Sequence, residues 1–77
     1  MRVFRDLIGG EWEVVVGRES WGTVVAIFLP REGSSPSRQA LMDSSSVHGG
    51  TRHLLAMTEE ELRGLFMRSG EKPTGYD

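Results

Sequence analysis

The clearest hydrophobic pattern in the chain is an alternation of apolar and polar positions between residues 11 and 18. Trp12, Val14 and Val16 fall on one side of an extended chain, and the intervening side chains, Val15 among them, fall on the other. Because successive side chains of a strand point to opposite faces, this spacing predicts a half-buried β-strand. We expect Trp12 to lie in the core.

Three other segments are typical of strands in the same sheet. Residues 2–6 alternate over a short stretch, and the paired Gly9-Gly10 that follows favours a tight turn into the next strand. Residues 23–29 are apolar on both faces, as a central strand is, and end at a proline, which lacks a backbone donor. Residues 38–43 are a candidate fourth strand. The pattern therefore predicts a three- to four-stranded antiparallel sheet.

The strongest local signal predicts a helix near the C-terminus. Thr58 is followed three residues later by Glu61, which is the spacing of a capping box. An apolar helical stripe follows, formed by Leu62, Leu65 and Phe66. Acidic residues open the segment and arginines lie towards its end, which matches the helix macrodipole. With Gly70 as the stop signal, we expect one C-terminal helix over residues 59–69, packed on one face of the sheet.

The remaining segments are polar and predict loops and a tail. Residues 31–37 and 44–53 are rich in serine, glycine and charged side chains, and we expect the second of these loops to be the most mobile part of the chain. Residues 71–77 are interpreted as a polar C-terminal tail. A chain of 77 residues has room for one core, so residues 1–70 are expected to form a single α+β domain.

The small size of the chain makes its stability marginal. A domain of this length buries only about 60% of the surface that its unfolded chain exposes. The sequence has no cysteine, which excludes disulfides and thiolate zinc sites as additional sources of stability. Association with a partner is therefore the more probable source of additional stability.

Charge narrows the class of partner. Nine basic and eleven acidic residues give a formal net charge of −2, which argues against a protein whose main task is to neutralise phosphates. We find no segment with the length and hydrophobicity of a signal peptide or a membrane span. We therefore expect a cytoplasmic protein that does not bind membranes.

Candidate catalytic residues occur without a recognisable motif. His48 and His53 lie in a polar segment that lacks a suitably spaced third metal ligand. The loop serines do not fall in a nucleophile motif, and the cap and the helix dipole account for the acidic residues at 59–61. We expect the protein not to be an enzyme and to bind neither a metal nor a cofactor.

The strand predicted at 23–29 carries more apolar surface than one helix can cover. One of its faces carries Val24, Ala26 and Phe28, and the other carries Val25, Ile27 and Leu29. Either set can face the helix, and the other set then joins Val15 on the opposite side of the sheet. A second protomer or another protein is expected to cover that side. The alternative is that the loops at 31–37 and 44–53 fold over it.

This excess of apolar surface predicts a non-enzymatic protein-interaction module, an adaptor or regulator that binds a protein partner or forms a homodimer through its sheet. Aromatic residues and arginine contribute most to the binding energy of interfaces. We therefore expect Trp21, Phe28 and Arg31 to lie at the interface, with Val15 as a further candidate.

The alternative function is that of a nucleic-acid-associated regulatory protein. Arg31, Arg38 and Arg52 lie in or beside the predicted loops, and together with Trp21 they could contact phosphates and stack on bases. The acidic net charge weighs against this alternative.

Two groups of residues carry a resemblance to known sequences. They are Phe4-Arg5-Asp6, Gly9 and Trp12-Glu13-Val14 at one end, and Leu54, Met57 and Thr58-Glu59-Glu60-Glu61-Leu62-Arg63 at the other. In this order they resemble small bacterial proteins of unknown function. The resemblance implies a bacterial cytoplasmic origin, and it implies no activity and no functional residue.

Overall fold

The computed structural model describes residues 2–19, 22–31 and 36–71, which form one sheet and two helices. The strands are β1 (Arg2–Arg5), β2 (Glu11–Arg18), β3 (Val24–Pro30), β4 (Arg38–Leu41) and β5 (Gly70–Glu71). The helices are α1 (Val47–Ala56) and α2 (Glu59–Arg68), and both come between β4 and β5 in the chain. Apart from Glu71, the predicted tail at 71–77 lies outside the described residues.

The strands form an antiparallel sheet in the order β1-β2-β3-β4-β5, in which β5 contributes only two residues beside β4. This arrangement confirms the predicted α+β class and the antiparallel sheet. The prediction of a single C-terminal helix is wrong, because α1 precedes α2. Neither of these two helices is long and apolar enough to cross a membrane.

Both helices pack on the same face of the sheet. On that face, the strand register places Val14 opposite Phe28 and Arg18 opposite Val24. Gly50 of α1 lies so close to the sheet that a Cβ atom there would be 3.0 Å from Cγ1 of Val16 and 3.2 Å from Cγ1 of Val24. The opposite side of the sheet therefore carries no helix among the described residues.

An aromatic cluster joins α2 to three strands. The ring centroid of Phe66 lies 5.3 Å from that of Phe4, 5.0 Å from that of Trp12 and 5.2 Å from that of Phe28. Buried aliphatic side chains surround these rings, including Val14, Ala26, Ala40, Leu54, Leu62 and Leu65. Because Trp12 is one of the cluster residues, its predicted core position is confirmed.

Helix α1 occupies most of the segment that was predicted to be a mobile loop. Ser46 caps its N-terminus, since the Ser46 hydroxyl accepts a hydrogen bond from the backbone N–H of Gly49 at 3.0 Å. Gly50 and Leu54 are the buried residues of the helix, spaced four apart on one face. The segment is helical because its cap and its buried face outweigh the low helix propensity of two glycines.

Helix α2 begins at the predicted capping box. The Glu61 amide donates to the Thr58 hydroxyl at 3.1 Å, and the Thr58 amide donates back to the Glu61 carboxylate at 2.9 Å. Two of the N–H groups that a helix start leaves without partners are thereby satisfied.

The C-terminal end of α2 differs from the prediction. Gly70 begins β5 instead of forming a left-handed stop, and the residue that ends the helix is Ser69. Arg38 of β4 donates to the Ser69 hydroxyl and to its backbone carbonyl, both at 2.7 Å, and its guanidinium lies 4.9 Å from the centroid of Phe66. The arginine thus attaches the end of the helix to the sheet.

A second arginine holds the junction of the two helices against β1. Arg2 donates to the carbonyl oxygens of Leu54 and Met57, at 3.1 and 2.6 Å, and forms an ion pair with Glu59 at 3.7 Å. These contacts anchor the start of α2 beside the first strand.

Candidate interaction surfaces

One candidate surface is the side of the sheet opposite both helices, which we name the outer face. By strand register it contains Val3, Arg5, Glu11, Glu13, Val15, Gly17, Val25, Ile27, Leu29, Gln39 and Leu41. Val15 lies directly opposite Ile27 at the centre of the sheet, and Gly17 lies opposite Val25. Adjacent apolar side chains therefore occupy the middle of the outer face.

The apolar residues of the outer face differ in exposure. Val25 is only 2% exposed, Val15 and Ile27 are partly buried, and Leu29 and Leu41 are 37% and 71% exposed. The Ile27 side chain covers Gly17, because a Cβ atom on that glycine would lie 2.8 Å from Cδ1 of Ile27. The absence of a side chain at Gly17 lets Ile27 lie against the backbone of β2.

Two ion pairs border the apolar centre of the outer face. Arg5 and Glu11 meet at 2.6 Å, and Arg31 and Glu13 meet at 3.9 Å. The hydrogen bond from Arg5, together with its charge, lowers the pKa of the Glu11 carboxyl. The pattern of an apolar centre with charged residues beside it is typical of protein interfaces.

The predicted interface residues fall in different places. Val15 lies on the outer face, and Arg31 is exposed beside it through its pair with Glu13. The assignment of Phe28 to an interface is wrong, because this side chain is 0% exposed and faces the helices in the core. Trp21 lies outside the described residues. Sequence reasoning missed Ile27 and Leu29 as interface candidates, although both belong to the alternative apolar set.

The three arginines of the nucleic-acid alternative do not form one surface. Arg31 is paired with Glu13 on the outer side of the sheet. Arg38 is folded against the end of α2, where its guanidinium is used inside the protein. Arg52 is exposed on α1, which packs on the other side of the sheet from Arg31.

A second candidate surface begins at the turn between β1 and β2, which Asp6 organises. One oxygen of its carboxylate accepts from the amides of Ile8 and Gly10, at 3.0 and 2.7 Å, and the other accepts from the indole N–H of Trp12 at 3.0 Å. Gly9 adopts a φ of 91°, in the left-handed region that glycine tolerates. The hydrogen bonds to the Asp6 carboxylate therefore stabilise this conformation of the turn.

These contacts also change the acidity of Asp6. Burial alone would raise the pKa of its carboxyl, but the hydrogen bonds from Trp12, Gly10 and Ile8 together outweigh that effect and lower the pKa below its ordinary value. Asp6 is consequently ionised at neutral pH, and its charge is satisfied by donors of the turn and the core.

The turn and α2 enclose a groove of about 280 Å³, which we name the turn–helix groove. Its walls are formed by Asp6, Leu7, Ile8, Arg63, Phe66 and Met67. Leu7, Ile8 and Met67 are 74%, 93% and 70% exposed, respectively. Single exposed apolar residues are common on protein surfaces, but several that surround one concavity indicate a binding surface.

The candidate catalytic residues are not arranged as a site. His48 and His53 lie on α1 instead of in a loop, and both are exposed. Their spacing of five residues directs them to different sides of the helix. Among the described residues, no three histidine or acidic side chains are close enough to hold a metal ion.

Comparison of the chain with models of protein families, with curated proteins and with solved structures gives no match. The resemblance of the two ends of the sequence to small bacterial proteins therefore stays an expectation, and the functional argument rests on the two surfaces described above.

Proposed function

We propose that this protein is a non-enzymatic protein-interaction module that pairs with a second copy of itself through the outer face. The observation that carries the proposal is the apolar centre of the outer face, formed by Val15, Ile27 and Leu29, on the side of the sheet that neither helix covers. A sheet normally needs a second layer on each apolar face, and α1 and α2 supply only one.

The fold removes one alternative cover for this surface. The segment at 44–53 could have folded over the outer face as a loop, but from Val47 onwards it forms α1 and packs on the opposite face, with Gly50 against Val16 and Val24. The other segment of that alternative, at 31–37, lies in part outside the described residues. A second protomer can supply the missing layer, because two outer faces can stack as the sheets of a β-sandwich do.

The size of the face sets how much of it a homodimer must use. The four longer strands have four to eight residues each, which at about 3.3 Å per residue and about 4.8 Å between strands gives a projected area of about 360 Å². A standard interface buries about 800 Å² of accessible surface on each partner. Pairing must therefore use the whole face, including the charged residues beside the apolar centre.

The charges of the face suit a two-fold arrangement. Arg5 and Arg31 are each matched by a glutamate of the same face, so the surface presents both signs in adjacent positions. In an isologous interface the same patch meets itself, and mixed charges allow each arginine to approach a carboxylate of the partner.

The test is the mass of the purified chain by light scattering behind size exclusion over a concentration series. We expect twice the 8.6 kDa of one chain, and we expect Leu29→Arg and Ile27→Arg to run at the mass of the single chain. Leu55→Arg is the matched control, because Leu55 is also an exposed apolar residue but lies on α1. A native chain that stays at the single mass at every concentration contradicts the proposal.

A further inference from the structure

The turn–helix groove is separate from the outer face and is suited to one large apolar side chain. Its accessible lining is almost wholly apolar, and the carboxylate of Asp6 is bound within its own turn. Its volume of about 280 Å³ lies just below the range of about 300–1,000 Å³ that is usual for small-molecule and cofactor sites. An apolar or aromatic side chain of a protein is therefore the matching occupant.

The last strand directs the chain towards the end of the sheet at which the groove lies. From Gly70 to Glu71 the backbone moves along the sheet in the same direction as from Val15 to Val14. This direction leads to the turn between β1 and β2, because β2 begins at Glu11. The chain therefore leaves β5 on the side of the molecule where Leu7 and Ile8 form one wall of the groove.

The groove is within reach of the residues that follow β5. Arg38 lies opposite Glu71, and its guanidinium is 4.9 Å from the ring centroid of Phe66, which lines the groove. Three strand spacings of about 4.8 Å separate β5 from β2, which is about 14 Å. Tyr76 follows Glu71 by five positions, and an extended chain of that length spans about 17 Å before its side chain is counted.

We propose that residues 72–77 fold back beside α2 and place the ring of Tyr76 in the turn–helix groove, against Phe66 and Met67. Tyrosine is the one aromatic residue of this segment, which reads Lys-Pro-Thr-Gly-Tyr-Asp. It suits an apolar groove that opens to water, because its ring is apolar and its hydroxyl can stay hydrated. The inference concerns another surface than the proposed homodimer interface and does not depend on it.

A segment of the same chain is a better occupant than a separate molecule. Its covalent link to β5 makes the contact intramolecular, with an effective concentration on the order of millimolar for a short linker. A second copy would have to present an exposed apolar side chain, and the most exposed ones in this region, Leu7 and Ile8, already form the wall of the groove. The Tyr76 ring would cover these side chains without recruiting a partner.

The experiment compares the methyl resonances of the full chain with those of two variants at Tyr76. An aromatic ring shifts the resonances of methyl groups that lie against its face, so we expect Tyr76→Ala to change the methyl shifts of Ile8 and Met67. Tyr76→Phe retains a ring and is expected to retain the shifted resonances. The methyl groups of Leu55, which is exposed on α1, are the internal control and should not move in either variant.

A substitution in the wall of the groove gives a second readout. We expect Met67→Glu to move the ring-proton resonances of Tyr76 to the positions found in a synthetic peptide of residues 72–77. Leu55→Glu makes the same change at an exposed apolar residue of α1 and is expected to leave them in their native positions. Thermal melts show that both variants are folded. Dilution to the mass of a single chain should not alter the Tyr76 resonances, because the contact is intramolecular.

Methyl shifts that are the same in the native chain and in Tyr76→Ala would overturn the proposal. Ring-proton resonances of Tyr76 that stay in their native positions in Met67→Glu would also overturn it. Nuclear Overhauser signals between Tyr76 and Met67 that occur only between differently labelled copies would assign the groove to a second copy instead. The proposal predicts these signals within one chain.

Discussion

Replacing Asp6 by asparagine isolates the contact between the β1–β2 turn and the core. The amide oxygen of asparagine can still accept from the backbone N–H groups of Ile8 and Gly10, as one carboxylate oxygen does now. The amide nitrogen would then replace the oxygen that accepts from the Trp12 indole at 3.0 Å. Two N–H donors would face each other, and the indole would lose its acceptor.

The cost follows from the type of bond that is lost. A hydrogen bond to a charged acceptor contributes about 1.5–3 kcal/mol, and leaving a buried donor without a partner costs a similar amount. Because Asp6 is partly exposed, water can replace some of the lost contact, and we expect a decrease in the free energy of unfolding of about 1.5 kcal/mol.

The effect should depend on pH in a defined direction. The pKa of Asp6 is lower in the folded chain than its ordinary value of 3.8, so the folded state favours the ionised carboxyl. The resulting stabilisation is complete above the pKa of the unfolded chain and is lost as the pH falls through the folded pKa. The difference between native and Asp6→Asn should therefore be largest at neutral pH and decrease below about pH 4.

Urea unfolding is followed by circular dichroism at a fixed protein concentration, from neutral pH to below about pH 4. It measures both the loss of unfolding free energy in Asp6→Asn and the dependence of that loss on pH. Asp43→Asn is the control, because it removes one negative charge from an exposed residue outside the turn. A native-to-variant difference in unfolding free energy that is the same at neutral and acidic pH would refute the role of the Asp6 charge.

Two further predictions concern the helices. Gly64→Ala should stabilise the chain by about 0.5–1 kcal/mol in thermal or urea unfolding, because a Cβ atom there would meet only the end of the Arg68 side chain at 3.8 Å. Gly50→Ala should not show that gain, because its Cβ atom would press on the sheet; equal stabilisation of both variants would contradict the close packing of α1. Thr58→Ala should lower the unfolding free energy by about 1 kcal/mol through loss of the cap, and an unchanged stability would contradict the capping box.

The strands and α2 could be predicted because their signals are local. The bounds of β2 coincide with the predicted strand over 11–18, since alternation of side chains needs only the chain itself. The capping box at Thr58 and Glu61 is equally local, and the structure contains both of its hydrogen bonds.

Helix α1 was missed because its main signal depends on tertiary packing. Glycine disfavours helices, and Gly49-Gly50 therefore indicated a loop. In the fold, a Cβ atom at Gly50 would lie 3.0 Å from Val16 and 3.2 Å from Val24, which is closer than ordinary packing, so glycine allows α1 to approach the sheet. Ser46 as an N-cap and Leu54 four residues after Gly50 were the available signals, but neither identifies a helix without the sheet against which it packs.

The two surfaces were predictable to different degrees. The excess of apolar residues over 23–29 was visible in the sequence, but alternation alone could not decide between its two faces. The structure decides which face of this strand is buried, because Phe28 lies opposite Val14, and Val14 faces the helices. Ile27, the neighbour of Phe28 in the strand, therefore points to the outer face. The turn–helix groove had no sequence signal, since it requires Leu7 and Ile8 to meet Arg63 and Met67 from a distant part of the chain.

The most direct test of the account is to observe contacts across the homodimer. A sample prepared from equal parts of ¹³C-labelled and unlabelled chain gives, in an isotope-filtered nuclear Overhauser experiment, signals only between different copies. We predict signals among the methyl groups of Val15, Ile27 and Leu29. Intermolecular signals confined to Ile8 and Met67, or none from the outer face at a concentration where the mass is that of a dimer, would contradict pairing through the outer face.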